Sequence, residues 1–386
     1  KDEGFDAYLV GGGVRDILIG EKPKDFDVAT NARPEQVRKI FKNSRMIGRR
    51  FVIVHVLFGR EVIEVTTFRA PPRAQDIDEN GRIRSDNTYG NLASDAARRD
   101  FSCNALYYSI RDFSVTDFFG GVEAIKNKRI ELIGDPDMRY QEDPVRGLRA
   151  LRFAAKLGFE IEKNTLEALQ TARENIGQIP AARMFEEALK LFMGGYGYAA
   201  FYSLYNDDML FSLFPTVDER IEDNDEVFEA LISATLQNTD QRISEDKPVQ
   251  PGFLFAAFLW FDVCERADEI GAGGRTNAQS IQAAADIVLA RQSEYTACPK
   301  RLMQPAIDIW SLQARMVGAN EKSTARLVQH PKFRAAVDFL RLRDLAGEDH
   351  GLDLASWQAL ADTIPPSSKA PRERRQSRRR PPRHKD

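Results

Sequence analysis

The sequence predicts an α+β protein: a head built on a small mixed sheet, followed by an all-helical neck and body. Three observations carry this. Over the first ~120 residues, short β-rich runs alternate with helical stretches and are punctuated by glycine. Past Arg139 the apolar spacing changes to the three-to-four-residue helical period, and strand signals nearly vanish. Residues 365–386 are rich in Pro, Arg and Ser with nothing apolar to bury, which predicts disorder.

The elements follow in order. Residues 7–10 form an apolar run that ends in Gly11-Gly12-Gly13, and residues 14–19 read as a helix. Residues 25–30 predict a second strand and 34–41 a second helix. Residues 51–58 and 61–68 are β-rich and split by Gly59-Arg60, the pattern of a hairpin. Residues 69–91 are polar, with paired prolines and several glycines, and predict a loop over or beside a site. Residues 106–110 and 114–118 supply the last strands. Helices are expected over 144–157, 165–175, 182–193, 198–206, 226–236, 252–267, 278–294, 302–317 and 333–345. The expected division is a head (1–125), a neck (126–206), a body (207–358) and a basic tail (359–386).

A hydrophobic share of 42% with 29% charged residues is that of a soluble globular chain. The richest apolar stretch, 253–261, is too short to span a bilayer, so no membrane is expected. Cys103, Cys264 and Cys298 are far apart and lack metal-ligand spacing, which suits small core residues in a reducing cytoplasm. No secretory leader is read in the first residues; the chain starts at Lys1 rather than Met, which leaves open what precedes it. The net charge of −3 hides an asymmetry: from Lys369 to Asp386 nine Lys or Arg stand against two acids, +7, so the remainder carries −10. Long-range attraction for a polyanion must then come from the tail or from local basic faces.

Gly11-Gly12-Gly13-Val14-Arg15-Asp16 sits where a strand passes into a helix. Glycines there let backbone N–H groups approach an anion, and Arg15 adds a fork-shaped cation suited to phosphate. No Gly-Lys-Ser/Thr follows, and Asp16 stands where a dinucleotide fingerprint needs its third glycine, so two common phosphate loops are excluded. Asp25-Phe26-Asp27 comes next; on a strand both carboxylates share one face while Phe26 packs to the other. Paired carboxylates suit Mg²⁺ or Mn²⁺, which also take phosphate oxygens. A third carboxylate is either Asp100 or Glu64, and spacing does not decide between them.

The ordered set Gly-Gly-x-Val-Arg-Asp, Asp-x-Asp, Arg98-Arg99-Asp100-Phe101-x-x-Asn104-Ala105 and Glu142-Asp143-x-x-Arg146 resembles the class II nucleotidyltransferases, the tRNA CCA-adding enzymes and bacterial poly(A) polymerases. The likeness runs over residues 8–191 and implies a polymerase-β-like head. It implies that Asp25 and Asp27 hold catalytic metals, that Gly12, Gly13, Arg15, Arg99 and Asn104 bind the incoming nucleotide, and that Asp100 serves the same site. Ser102-Cys103 and Gly147 depart from the usual pattern without removing a functional group.

Asp143, Arg146, Arg149 and Arg152 step along one helix face. A carboxylate can accept from the exocyclic amine of adenine or cytosine while a guanidinium donates to the adjacent ring nitrogen, so such a pair admits A or C and rejects G and U. An ordinary helix cap with a solvated arginine stripe competes with that reading. Arg183, with Glu186 and Glu187, is expected to orient the pocket. The segment from Met46 to Val56 is closer to the poly(A) polymerase branch, as is the head as a whole, and the Arg-rich tail suits sequence-blind capture of single-stranded RNA 3′ ends. The expected activity is template-independent adenylation from ATP. CCA addition is the alternative, and a non-catalytic RNA-binding protein is the alternative of another class. RNA-processing or decay proteins are the expected protein partners. No His-Asp pair occurs among the four histidines, so an appended metal phosphohydrolase domain is not expected.

Overall fold

The strands between Ala7 and Asp117 assemble into one seven-stranded mixed sheet. In this computed structural model, residues 2–48, 51–76, 87–271 and 277–364 are described. The strands are β1 (Ala7–Val10), β2 (Asp27–Thr30), β3 (Ser44–Ile47), β4 (Ile53–Phe58), β5 (Glu61–Thr67), β6 (Leu106–Tyr108) and β7 (Val115–Asp117), in the order β3-β4-β5-β2-β1-β6-β7. β2 and β5 run parallel and every other neighbour is antiparallel. The β4–β5 hairpin turns at Gly59, whose φ of 63° is open to glycine without strain.

The second strand begins at Asp27, not at residue 25, so the alternation argument does not reach Asp25 or Phe26. β3, four residues of mostly exposed Ser-Arg-Met-Ile, was not foreseen; it exists because β4 offers it an edge to pair with. In the expected loop at 69–91, Arg69 bridges to Tyr89, while residues 77–86 lie outside the described residues, as do Arg49, Arg50 and the tail from 365 onward.

The head helices are α1 (Gly12–Leu18), α2 (Pro34–Ile40), α3 (Leu92–Arg98) and α4 (Gly121–Lys126). α5 (Pro136–Glu142), α6 (Val145–Leu157), α7 (Lys163–Ala172) and α8 (Ala181–Phe192) follow. α3, α4 and α5 were not expected from periodicity, being only two turns long. Capping starts two of them: Asn91 accepts from Ser94 N at 2.9 Å, and Asp135 accepts from Met138 N at 3.0 Å with Pro136 in the first turn. Beyond α8 the described chain is helical throughout, ending with Leu354–Asp362. The expected helix at 252–267 divides at Leu259 into Pro251–Phe258 and Trp260–Gly271. After Asp117, the only strands among the described residues are two-residue pieces, Arg129–Ile130 and Glu160–Ile161.

Two small apolar clusters serve the sheet: Val10, Ala29, Phe68, Ala96 and Tyr107, and Ala32, Val37, Val54, Val56 and Val65. A far larger one draws on residues from Phe101 to Ala346, and a separate one gathers nine buried side chains between Leu312 and Ala361. The centre of the largest is aromatic, with Phe214 and Phe258 at 5.0 Å between centroids and Phe192 and Phe258 at 5.5 Å. Gly147 lets α7 close on α6: a Cβ there would come within 2.5 Å of Leu169 Cδ1. Among the described residues no helix is long and apolar enough to cross a membrane.

Candidate active site

Asp27 opens β2 and stands level with Glu64 on the parallel strand β5. Burial raises the Asp27 carboxyl, the Glu64 and Asp25 charges push it the same way, and Arg99 opposes them. Asp25 lies two residues ahead of the strand and is exposed. The Phe26 ring does not pack into the core as alternation predicted; it is 42% exposed and lies beside Gly13. Gly13 is what lets α1 approach this segment, since a Cβ there would sit 3.2 Å from the Asp25 carbonyl oxygen. The third-carboxylate question divides on geometry: Glu64 belongs beside Asp27, held by His55 Nε2 at 3.0 Å, whereas Asp100 faces the neck. Among the described residues no group of three His, Cys, Asp or Glu side chains is gathered tightly enough to enclose a metal ion. The aspartates instead form an open pair of hard oxygen donors under mutual repulsion, a donor set that fits a divalent cation keeping water and taking phosphate oxygens.

The glycine turn is built from behind. Gly11, at φ 71°, turns β1 into α1, and a Cβ there would meet Arg99 Nη1 at 3.3 Å. Arg99 is fixed by Tyr107, whose hydroxyl accepts from Nε at 2.9 Å, and by Asp95 at 3.3 Å. Arg15 is turned inward: it is 1% exposed and bonds Asp16 Oδ1 through Nε at 2.9 Å and Asn104 Oδ1 through Nη1 at 2.5 Å. Two local acceptors and the Phe153 ring hold it there. Its Nη2 still lies close beneath Gly12, 3.4 Å from where a Cβ would stand.

Asp100 receives Arg149 through Nε at 2.9 Å and Nη2 at 2.5 Å, and its own neighbour Phe101 donates a backbone N–H at 2.8 Å. Burial alone would raise this carboxyl, but Arg149, these hydrogen bonds and Arg146 together hold it at about 2. Arg149 is therefore engaged by the head rather than standing open on α6. Asp143 closes α5 in extended backbone and reaches across to α8, where Arg183 clasps both its oxygens at 2.8 and 2.7 Å. Arg146 turns the other way, its Nη1 bonding Glu142 Oε2 at 2.9 Å. Asp143 and Arg146 thus take different partners because an extended residue separates two helices at this point. Arg152 lies 3.8 Å from Glu187, and the guanidinium carbons of Arg152, Arg15 and Arg149 stand 4.5, 5.3 and 5.4 Å from the Phe153 centroid. A solvated arginine stripe is excluded, since Arg146 is 8% exposed and its companions are largely covered.

Three family models match: "Poly A polymerase head domain" over residues 7–131, "Probable RNA and SrmB- binding site of polymerase A" over 158–221, and "Polymerase A arginine-rich C-terminus" over 273–386. The chain is also 48% identical over 349 residues to Poly(A) polymerase I of Escherichia coli O157:H7, covering 88% of this chain and 75% of that protein. The chain belongs to the poly(A) polymerase family. Likeness to the CCA-adding enzyme of Lactobacillus helveticus (strain DPC 4571) is shorter, 39% identity over 201 residues, or 52% of this chain and 49% of that enzyme. The crystal structure of a tRNA nucleotidyltransferase complexed with a primer tRNA and an incoming ATP analog shares the fold, with a TM-score of 0.61 at 20% identity over 93% of this chain and 97% of that one.

The family and the α+β class expected from the motifs are both borne out. Within this poly(A) polymerase family chain, four side chains at the cleft escaped the sequence reading: His55, Arg139, Phe153 and Lys156. Lys156 pairs with Asp16 at 3.4 Å and so ties α6 to α1. The signal for Phe153 and Lys156 was present, as both continue the arginine-bearing helix, but the partners that tie them to the head, Arg15 and Asp16, are more than 130 residues away in sequence.

Proposed function

We propose that this chain adds adenylate from ATP to RNA 3′ ends without a template, releasing pyrophosphate, and that its chemistry lies where β2, β5 and the glycine turn meet. The observation that carries the reading is Asp27 level with Glu64 beside that turn, in a chain 48% identical to a poly(A) polymerase. Asp25 and Asp27 would hold Mg²⁺ or Mn²⁺, which when bound neutralises phosphate charge and acidifies the terminal hydroxyl. Glu64 keeps the Asp27 carboxylate under negative pressure and so favours cation capture. The Gly12–Gly13 backbone lies open to the triphosphate, with Arg99 and the buried Arg15–Asn104 pair as fixed positive backing. Arg183 aims the Asp143 carboxylate and Glu142 holds Arg146, and we assign the two to the amine and ring nitrogen of adenine. Arg149 and Arg152 stiffen the wall through Asp100 and Phe153.

We take 1–125 as the catalytic head, 126–206 as the base-reading neck, 207–358 as an RNA-binding body and 359–386 as a basic tail that captures single-stranded RNA with little sequence preference. A cytoplasmic enzyme meeting RNA-processing or decay proteins follows from the same reading. CCA addition is the weaker alternative because the CCA-adding relative matches about half of the chain. The test is extension of a short unstructured RNA with each nucleotide alone plus Mg²⁺. A long ladder with ATP only is expected, and Asp27→Asn should abolish it while RNA binding persists. Additions that need CTP and a tRNA-like end would transfer the assignment to CCA addition, and no extension at all would leave a non-catalytic RNA-binding protein.

A further inference from the structure

One side chain touches both halves of the nucleotide cleft. Arg139, on α5, is 8% exposed, and its Nη2 donates to the carbonyl oxygens of Arg98 at 3.0 Å and Arg99 at 2.5 Å, where α3 ends. Its Nη1 donates to Glu142 Oε2 at 2.8 Å. That same oxygen accepts from Arg146 Nη1 at 2.9 Å, and Arg146 Nη1 also reaches the Arg139 carbonyl at 2.5 Å. Two buried guanidinium groups therefore share one carboxylate oxygen, and among the described residues the Arg139 Nε has no hydrogen-bond partner. Burial and the Arg146 charge pull the Arg139 guanidinium down to about 10. Such an arrangement is poor value as a stability device, because an apolar side chain of similar volume would avoid the desolvation of two cations. What it does supply is fixed geometry: the backbone carrying Arg99 and the side chain of Arg146 are fastened to one rigid planar group.

We propose that Arg139 is a positioning residue that holds Arg99, on the triphosphate side, and Arg146, on the base side, at a set separation, so that a nucleotide is gripped at both ends only when its base fits. This rests on the reading of Arg99 and Arg146 as nucleotide ligands. The consequence is that base selection and phosphate alignment are linked. Loosening Arg139 should damage both, although Arg139 itself meets neither the base nor the phosphates.

The experiment uses the full chain with Arg139→Met and Arg139→Lys, measuring kcat and KM for ATP and for GTP on a short unstructured RNA, with thermal melts of each variant. Arg139→Met is expected to lower kcat/KM for ATP by about 100-fold, the scale of an ångström-sized misplacement. The loss should be divided between kcat and KM, and the ATP-over-GTP preference should fall about tenfold, one bond's worth of discrimination. Arg139→Lys should recover the melting temperature but not the preference, since a single ammonium nitrogen cannot stand where both Nη1 and Nη2 of the planar fork stand. If Arg139→Met does not fold, Glu142→Gln replaces it: weakening the hold on Arg146 should reduce preference more than kcat. A folded Arg139→Met with unaltered kcat, KM and preference would overturn the proposal, as would a Glu142→Gln of native preference. If the unaltered chain adds no nucleotide, the polymerase reading itself fails; if it polymerises and the variants match it, only the bridging role fails.

Discussion

Asp100→Asn should weaken the head–neck junction by about 2 kcal/mol at pH 7, and the loss should shrink as the medium is acidified. The Asp100 carboxyl lies at about 2 against an ordinary 3.8, because Arg149 and a backbone N–H outweigh the burial that would raise it. At 1.36 kcal/mol per unit, a gap of nearly two units contributes about 2 kcal/mol. A depressed carboxyl stabilises the folded state fully above its unfolded value and loses that contribution as pH falls through the folded one. Linkage therefore leaves about half of it at pH 3 and little below 2. The amide cannot balance Arg149, but that side chain is 32% exposed and keeps some hydration, so the larger penalty of a sealed unpaired charge is not expected. Urea unfolding of both proteins at pH 7, 5, 4 and 3 gives the difference directly. A gap near 2 kcal/mol that holds to pH 4 and roughly halves by pH 3 is expected. A gap that stays constant to pH 3 would refute the electrostatic account and leave shape alone as the role of this pair.

Gly13→Ala should reduce kcat at least tenfold while shifting the melting temperature little, because its Cβ would press on the Asp25 carbonyl at 3.2 Å and displace the aspartate segment; a full-rate variant would show that the close approach is idle. Asp218, raised to about 6 by burial and by Glu222, Asp208 and Glu219, is a carboxylate the fold would prefer protonated. Its ionisation costs stability as pH climbs from 3.8 through 6, so Asp218→Asn should stabilise by about 1 kcal/mol at pH 7, after solvent screening, and by nothing below pH 4. Paired melts at pH 7 and pH 4 check the sign.

The two catalytic candidates and the glycine turn were legible because their chemistry is local: Asp25 and Asp27 lie within one short segment, and Gly11 needs only its own φ of 71°. The choice between Glu64 and Asp100 was not legible, since it depends on β2 pairing with β5 in parallel and on Arg149 reaching Asp100 from 49 residues away. Long helices such as Phe333–Leu345 show their period, whereas α3 and α5 are two turns each and declare themselves only through Asn91 and Asp135 caps. The burial of Arg15 was not legible for a related reason. A buried arginine is affordable only with acceptors in place, and one of its two, Asn104, arrives from another element. Phe26 went astray because strand alternation was extended two residues past where pairing begins.

The large apolar cluster drawn from residues between Phe101 and Ala346 bears on how the molecule comes apart. The residues that share it should melt as one cooperative unit, while nine buried side chains between Leu312 and Ala361 form a cluster of their own and the sheet rests on two clusters of five each. Heating should therefore release the sheet before the large cluster, as separate calorimetric transitions. A chain cut after Asn206 would strand Phe192 and Phe201 without Phe214 and Phe258, so truncation there removes the fold of the neck along with the body.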